Sequence, residues 1–172
     1  ASTLCDGDGL GRVSASIAPR MNVFRDATIS DSRRIWEWRA ASSMQRFGLN
    51  GEAPEFSEHH QWYTTALFNP KRTFRILVHC GYPCGYLRFD IEQQCRAHVS
   101  ICLAPDMRIK GLAELLLAEA DRLGAEIDVR HLDAKIHTEN NASLRCFELA
   151  GYKRVKNIGN FRLYQKTLCE VI

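Results

Sequence analysis

The chain has 172 residues, 45% of them apolar, enough for one substantial core and too few for two ordinary domains. Its 23 Lys and Arg against 20 Asp and Glu leave a net charge of +3 that is spread along the chain, which singles out neither nucleic acid nor an acidic membrane as partner. No apolar run approaches the ~18 residues of a spanning helix, and the start lacks the charged-apolar-small pattern of a signal peptide, so a soluble chain is expected.

Residues 1–20 are poor in large apolar side chains and contain the turn-rich Asp6-Gly7-Asp8-Gly9. They read as a linker or the tail of a preceding domain, with one domain over 21–172. Asn22 to Ala27 alternates as a first strand, and Ser30 or Asp31 can cap a helix carrying Ile35, Trp36 and Trp38 that ends near Arg39 to Ser43. Gly48, Asn50, Gly51 and Pro54 mark a loop. Ser57 and Glu58 open a second helix running to about Asn69.

Thr73 to Cys80 and Cys84 to Ile91 form an antiparallel hairpin around a Gly81-Tyr82-Pro83 turn, and Ala97 to Leu103 adds a third strand stopped by Pro105. From Gly111 to Leu123, apolar residues at 112, 115, 116, 117, 120 and 123 make the stripe of an amphipathic helix ending at Gly124. Leu132 to His137 is a strand, Asn140 to Ala150 a helix closed by Gly151. Tyr152 to Val155 and Phe161 to Leu168 are final strands around an Asn157 to Asn160 turn. The order β-α-α-β-β-β-α-β-α-β-β predicts a mixed α+β domain.

Seven cysteines are scattered through the chain, several inside apolar periodic segments, and read as free thiols in a reducing cytoplasm. His79, Cys80 and Cys84 have no matching second half for a zinc site, and no metal is expected.

One segment points to a ligand. A strand ending at Pro105, a short polar loop and a helix starting at Gly111 bring unpaired backbone N–H groups and a helix dipole to one spot, where a pyrophosphate can sit. Arg108 and Lys110 add positive charge, and Gly111 permits close backbone approach. An ordinary strand-loop-helix junction with two solvated cations accounts for the hexapeptide equally well.

Over positions 22 to 168 these residues resemble the GNAT acetyltransferase superfamily. Arg108, Gly111 and Ala113 match its loop of Gln or Arg, two residues, Gly, one residue, then Gly or Ala. The segment from Asn140 to Tyr152 is similar to its second signature, an Asn-led helix ending in Gly and an aromatic residue. The resemblance implies six to seven mostly antiparallel strands flanked by about four helices, with central strands splayed to admit the thioester of acetyl-CoA. It also implies cofactor contacts from Ile101, Cys102 and Leu103 to the pantetheine arm, and from Arg108, Ile109, Lys110, Gly111, Leu112 and Ala113 to the pyrophosphate. Asn140 and Phe147 would lie on the cofactor side.

Acetyl transfer to an amine needs a neutral amine, an oxyanion contact and a proton donor for the thiolate. Many members of the superfamily carry a Tyr donor seven residues after the motif Asn, where this chain has Phe147. Tyr86, Tyr152 or Tyr164 could compensate, Tyr164 being taken into the catalytic set, or the thiolate leaves with help from water. His98 and Ser100, on the strand before the acetyl-binding stretch, are the candidates for base and for holding water, and His98 titrates in a useful range.

Acceptor contacts are expected from the first two helices and their loop, through Arg39, Phe47, His59 and Trp62, and from Arg88. Trp38-Arg39, His59-x-x-Trp62 and Gly85 to Asp90 resemble the N-acetyltransferases of bacterial pseudaminic-type sugar biosynthesis, which acetylate the 4-amino group of a UDP-linked sugar. Cys5 to Val13 is similar to the closing segment of the UDP-sugar hydrolase of that pathway, which implies a fusion. The resemblance therefore implies acetyl-CoA and a UDP-amino sugar as substrates, a second copy of the chain and the upstream hydrolase as partners, and surface polysaccharide or flagellar glycan as destination. Two alternatives stay open: acetylation of a protein N-terminus, and a module that holds acetyl-CoA without turnover.

Overall fold

Among the described residues, the elements follow one another as β1 (Asn22–Asp26), α1 (Ser32–Ala40), α2 (Phe56–Leu67), β2 (Arg72–His79), β3 (Tyr82–Ile91), β4 (Arg96–Leu103), α3 (Leu112–Glu126), β5 (His131–His137), α4 (Asn141–Leu149), β6 (Lys153–Ile158) and β7 (Phe161–Thr167). Short 3-10 turns at Ile29–Asp31 and Pro105–Met107 precede α1 and follow β4. The structure is a computed structural model that describes residues 22–41, 54–92, 95–108 and 111–168. The expected tail at 1–20, Phe47, Ile109 and Lys110 lie outside the described residues.

The strands form one sheet in the order β1-β2-β3-β4-β5-β7-β6. All neighbours are antiparallel except β4 and β5. Side chains on successive residues point to opposite faces, and directly opposed residues share a face. One face carries Leu87, Phe89, Ala97, Val99, Leu132, Ala134 and Tyr164, covered by Leu112, Leu116, Leu117 and Ala120 of α3 and Leu144 and Phe147 of α4. The stripe read along α3 is therefore its buried side, and each fully buried Leu contributes roughly 2 kcal/mol. The other face carries Phe74, Ile76, Tyr86 and Cys102 beneath Ile35 and Trp38 of α1 and Tyr63 and Ala66 of α2.

Local differences from the sequence reading have local causes. The β2–β3 turn is Cys80-Gly81 rather than Gly81-Tyr82-Pro83; both residues have positive φ, 50° and 83°, the two-residue loop that matches strand twist. Tyr82 and Pro83 are already on the strand, opposite His79 and Val78. Helix α3 runs past Gly124 to Glu126, held by Arg122 pairing with Glu119 and Glu126. A Cβ on Gly124 would lie 2.6 Å from Leu168 Cδ1, so this glycine serves close packing and not helix termination.

Candidate active site

The parallel pairing of β4 and β5 is short. It runs Arg96 with His131, Ala97 with Leu132 and His98 with Asp133, and stops there. Val99 to Leu103 remain paired to β3 on one side, while on the other side β4 and β5 diverge. That opening is the splay implied by the resemblance, and it leaves backbone N–H and C=O groups of β4 facing a gap, where they need partners from solvent or a ligand. On the closed side of β4, Gly85 of β3 lies opposite Leu103, and a Cβ there would meet Leu103 Cδ2 at 2.7 Å and the Cys102 carbonyl oxygen at 2.8 Å.

At the end of the gap, Gly111 takes φ +97° as the residue before α3, and the space where its Cβ would lie is open. Arg108 is exposed, Ala113 half-buried and Leu112 buried in the core. The open backbone at Gly111, the N-terminal N–H groups of a 15-residue helix and the nearby Arg108 fit a pyrophosphate. The unpaired edge of β4 fits a pantetheine arm. The Ile101 and Leu103 side chains pack against the α3 side of the sheet, whereas Cys102 turns to the α1 side, its thiol 3.9 Å from the Trp38 carbonyl oxygen. Burial pushes the Cys102 thiol up to about 11, so its part in a cofactor site is limited to backbone and shape.

Asn140 is half-buried, and its side-chain oxygen accepts from the Ser143 N–H at 3.2 Å, capping α4. Phe147 is 3% exposed and packs edge-on against Tyr152 at 4.9 Å between ring centres. The ring at the usual donor position is thus part of the core on the α3–α4 face.

The three catalytic candidates separate. His98 and Ser100 lie side by side on the α1–α2 face, opposite Asp90 and Arg88 of β3. Tyr164 lies on the other face, opposite Ala134, and its hydroxyl donates to Glu148 at 2.6 Å. Tyr86 shares the face of His98; it is buried and its hydroxyl is pushed up to about 12 by burial. Tyr152 is buried with an unpartnered hydroxyl on the face of Tyr164.

His98 occupies the last registered position before the splay. Asp90 flanks it on β3 and Asp133 on β5. Burial, then the charge of Arg88, holds its imidazole below the ordinary 6.5, against the opposite pull of Asp90, Glu92 and Asp133. It is therefore neutral at pH 7, and its Nδ1 is buried without a hydrogen-bond partner. Asp133 is not free to take a proton from it, because Arg96 holds both carboxylate oxygens at 2.9 to 3.0 Å and Gln165 donates at 3.0 Å. Asp90 is likewise engaged by Arg72 and lies 3.0 Å from Arg88 Nε, which lacks hydrogen-bond alignment. The alternation of charged residues on β3 and β5 is visible in the sequence, but nothing in it pairs them with His98.

Of the expected acceptor residues, Arg39, His59 and Trp62 come together. The Arg39 guanidinium is 5.5 Å from the Trp62 ring centre, and His59 lies 5.6 Å from Trp62 and stacks on Tyr63 at 5.9 Å. His59 is buried, its Nε2 unpartnered, and burial followed by the charge of Arg39 lowers it to about 4. Trp62 is 36% exposed while Trp38 is core and Trp36 rests on Phe56. Arg88 sits opposite Ser100, nearer the splay. The described residues contain no His, Cys, Asp and Glu group able to hold a metal ion; Cys84 is buried, its thiol donating to the Leu77 carbonyl. No helix of the described residues is long and apolar enough to cross a membrane.

The fold is similar to that of several solved structures. A domain from Methanocaldococcus jannaschii superposes with a TM-score of 0.77 at 18% identity, over 86% of this chain and 99% of that one. The aminoglycoside acetyltransferase AAC(6')-Ib, in complex with coenzyme A and kanamycin, superposes at 0.72 with 20% identity, over 86% and 95%. A GNAT superfamily phosphinothricin acetyltransferase from Sinorhizobium meliloti, in complex with acetyl-CoA, gives 0.69 at 20% identity, over 86% and 88%. No curated protein matches at the level of sequence. Residues 23–153 match the acetyltransferase (GNAT) domain family, three quarters of the chain and every part of the splayed site, and the chain accordingly belongs to the GNAT acetyltransferases.

Proposed function

We propose that this protein transfers the acetyl group of acetyl-CoA to the amino group of a nucleotide-linked amino sugar, with His98 as general base. The observation that carries the chemistry is the neutral His98 at the mouth of the splay, with Nδ1 unpartnered and both neighbouring carboxylates already engaged. Acetyl-CoA supplies an activated carbonyl at the gap between β4 and β5. His98 takes one proton from the acceptor ammonium, directly or through a water held by Ser100, so that a neutral amine can form the C–N bond. The C–S bond breaks, the nitrogen gives its second surplus proton to solvent, and the thiolate takes one proton from solvent, Phe147 having no hydroxyl to give.

For the acceptor, the support is the pairing of Arg39 and His59 with the exposed Trp62 and of Arg88 with Ser100. Aromatic surface and fixed donors of this kind suit a sugar bearing a charged substituent. The reading extends to a cytoplasmic enzyme of surface polysaccharide or flagellar glycan assembly that works as a homodimer, residues 1–20 joining it to a UDP-sugar hydrolase domain. Transfer to a protein N-terminus is the second reading, and the core position of Phe147 favours a third, binding without turnover.

Thiol release on mixing acetyl-CoA with UDP-linked 4-amino sugars and with N-terminal peptides tests all three. Release with the nucleotide sugar is the expected result. Release with peptides alone overturns the acceptor, and acetyl-CoA binding without release from any amine overturns the enzyme.

A further inference from the structure

The β6–β7 hairpin carries a charge imbalance that acetyl transfer does not use. From Gly151 to Leu168 the chain holds Lys153, Arg154, Lys156, Arg162 and Lys166 and neither Asp nor Glu. The sheet divides these cations between its faces. Arg154 and Arg162 lie on the face of Tyr164, where Glu148 bonds the Tyr164 hydroxyl and Lys166 pairs with Asp121 at 2.6 Å.

Lys153 and Lys156 both reach the opposite face, which residues three apart on a regular strand cannot do. The register shows why: Arg154 opposes Tyr164 and Lys156 opposes Leu163, leaving Val155 as an extra, unpaired residue. This β-bulge turns Lys156 onto the side of Lys153. Leu163 in turn opposes Lys135 of β5, so Lys156, Leu163 and Lys135 form one row across three strands. Both lysines are exposed, and neither has a carboxylate partner among the described residues. In the next row Lys135 Nζ sits 4.7 Å from the centre of the Phe161 ring, and His137 meets that ring edge-on at 5.3 Å.

The row lies on the same face as His98 and Ser100. Lys135 is two residues beyond Asp133, the partner of His98. Standard strand spacings place the Lys135 and Lys156 Cα atoms roughly 8 and 16 Å from that of His98. The Lys135 side chain extends over Phe161, so its ammonium group lies beyond its Cα on the side away from His98. Such spans separate an amine on one side of a pyranose ring from a diphosphate on the other.

We propose that Lys135 and Lys156 form the subsite for the diphosphate of the acceptor, the apolar Leu163 and Phe161 forming its floor. The inference rests on the nucleotide-linked acceptor proposed above and adds where its charge is held. The Val155 bulge is then a specificity device: it puts a second ammonium group on the acceptor face and leaves Arg154 on the other.

The test is binding of UDP with coenzyme A at saturation, so that the pyrophosphate site at Gly111 is filled. Lys135→Glu with Lys156→Glu should weaken UDP at least tenfold, and raising the salt concentration should weaken UDP binding to the parent protein. Arg154→Glu, the same charge change on the opposite face of the same strand, should leave UDP affinity within twofold. Equal affinity in the double variant and the parent overturns the subsite, as does no UDP binding by the parent or displacement of UDP by an acidic peptide. UDP binding that the lysine variants weaken, with no acetylation of any nucleotide sugar, upholds the subsite and overturns the acceptor reading. Unchanged thermal melting of the exposed lysine variants confirms that the effect is on binding.

Discussion

His98 faces Asp133 across the last paired position of β4 and β5, and one residue further the two strands part. The proposed base thus stands where the sheet opens. Its neighbour Asp133 is locked by Arg96 and Gln165 and acts as scaffold. Replacing His98 by Gln should lower kcat by about 100-fold or more while leaving acetyl-CoA binding intact, measured by thiol release and by titration with coenzyme A.

The same residue sets a pH dependence. Burial and Arg88 hold its folded pKa below 6.5, so the basic form predominates at neutral pH and is lost as the pH falls through the lowered value. The rate at saturating substrates should show an acid limb whose midpoint lies below 6.5. The His98→Gln variant should lack that limb, and an unchanged acid limb would remove His98 as base.

Gly85 tests the splay. A Cβ would collide with the backbone oxygen of Cys102 as well as with Leu103 Cδ2, and the former cannot swing aside. Gly85→Ala should cost about 2 kcal/mol and raise KM for acetyl-CoA by displacing β4. Denaturant melts and initial rates together check it.

Tyr164 and His98 point to opposite faces, and the Tyr164 hydroxyl is engaged by Glu148. Tyr164→Phe should lower stability by about 1 kcal/mol, the worth of one hydrogen bond, with kcat changed less than threefold. A larger loss of rate at unchanged stability would restore it as the acid.

Asp31 joins β1 to α1, accepting from Arg25 at 2.7 Å, Arg34 at 2.9 Å and the Thr28 N–H at 2.9 Å while 1% exposed. Burial alone would raise its carboxyl, but the Arg25 bond and the Thr28 N–H hold it below 3.8. Because the folded pKa is the lower one, its stabilisation is complete above the unfolded value and disappears as pH falls through the folded value. Asp31→Asn should cost about 2 kcal/mol at pH 7, allowing for the half-exposed arginines. The gap between variant and parent in urea melts should close in acid.

Much of the fold is legible in the chain because it is written in local periodicity. The α3 stripe, the alternation of β2 and β3 and the turn glycines each reflect contacts within a few residues or burial of a single face. Where the reading slipped, a tertiary contact overrode a local rule: Gly124 looks like a helix stop, but Leu168 needs the room it leaves. Pro83 looks like a turn residue, but the bulge at Leu77 and Val78 accommodates it on β3.

The sequence by itself determined the loop from Arg108 to Ala113, the Asn140 to Tyr152 helix and hence the family, since these depend on residues close together in the chain. Only the tertiary structure decided what surrounds His98, which face Tyr164 takes and how Lys135 meets Lys156. Those relations depend on strand register, and a shift of one residue, as at Val155, reverses the face of everything beyond it. Register is set by pairing between strands far apart in sequence, where local propensity carries no information.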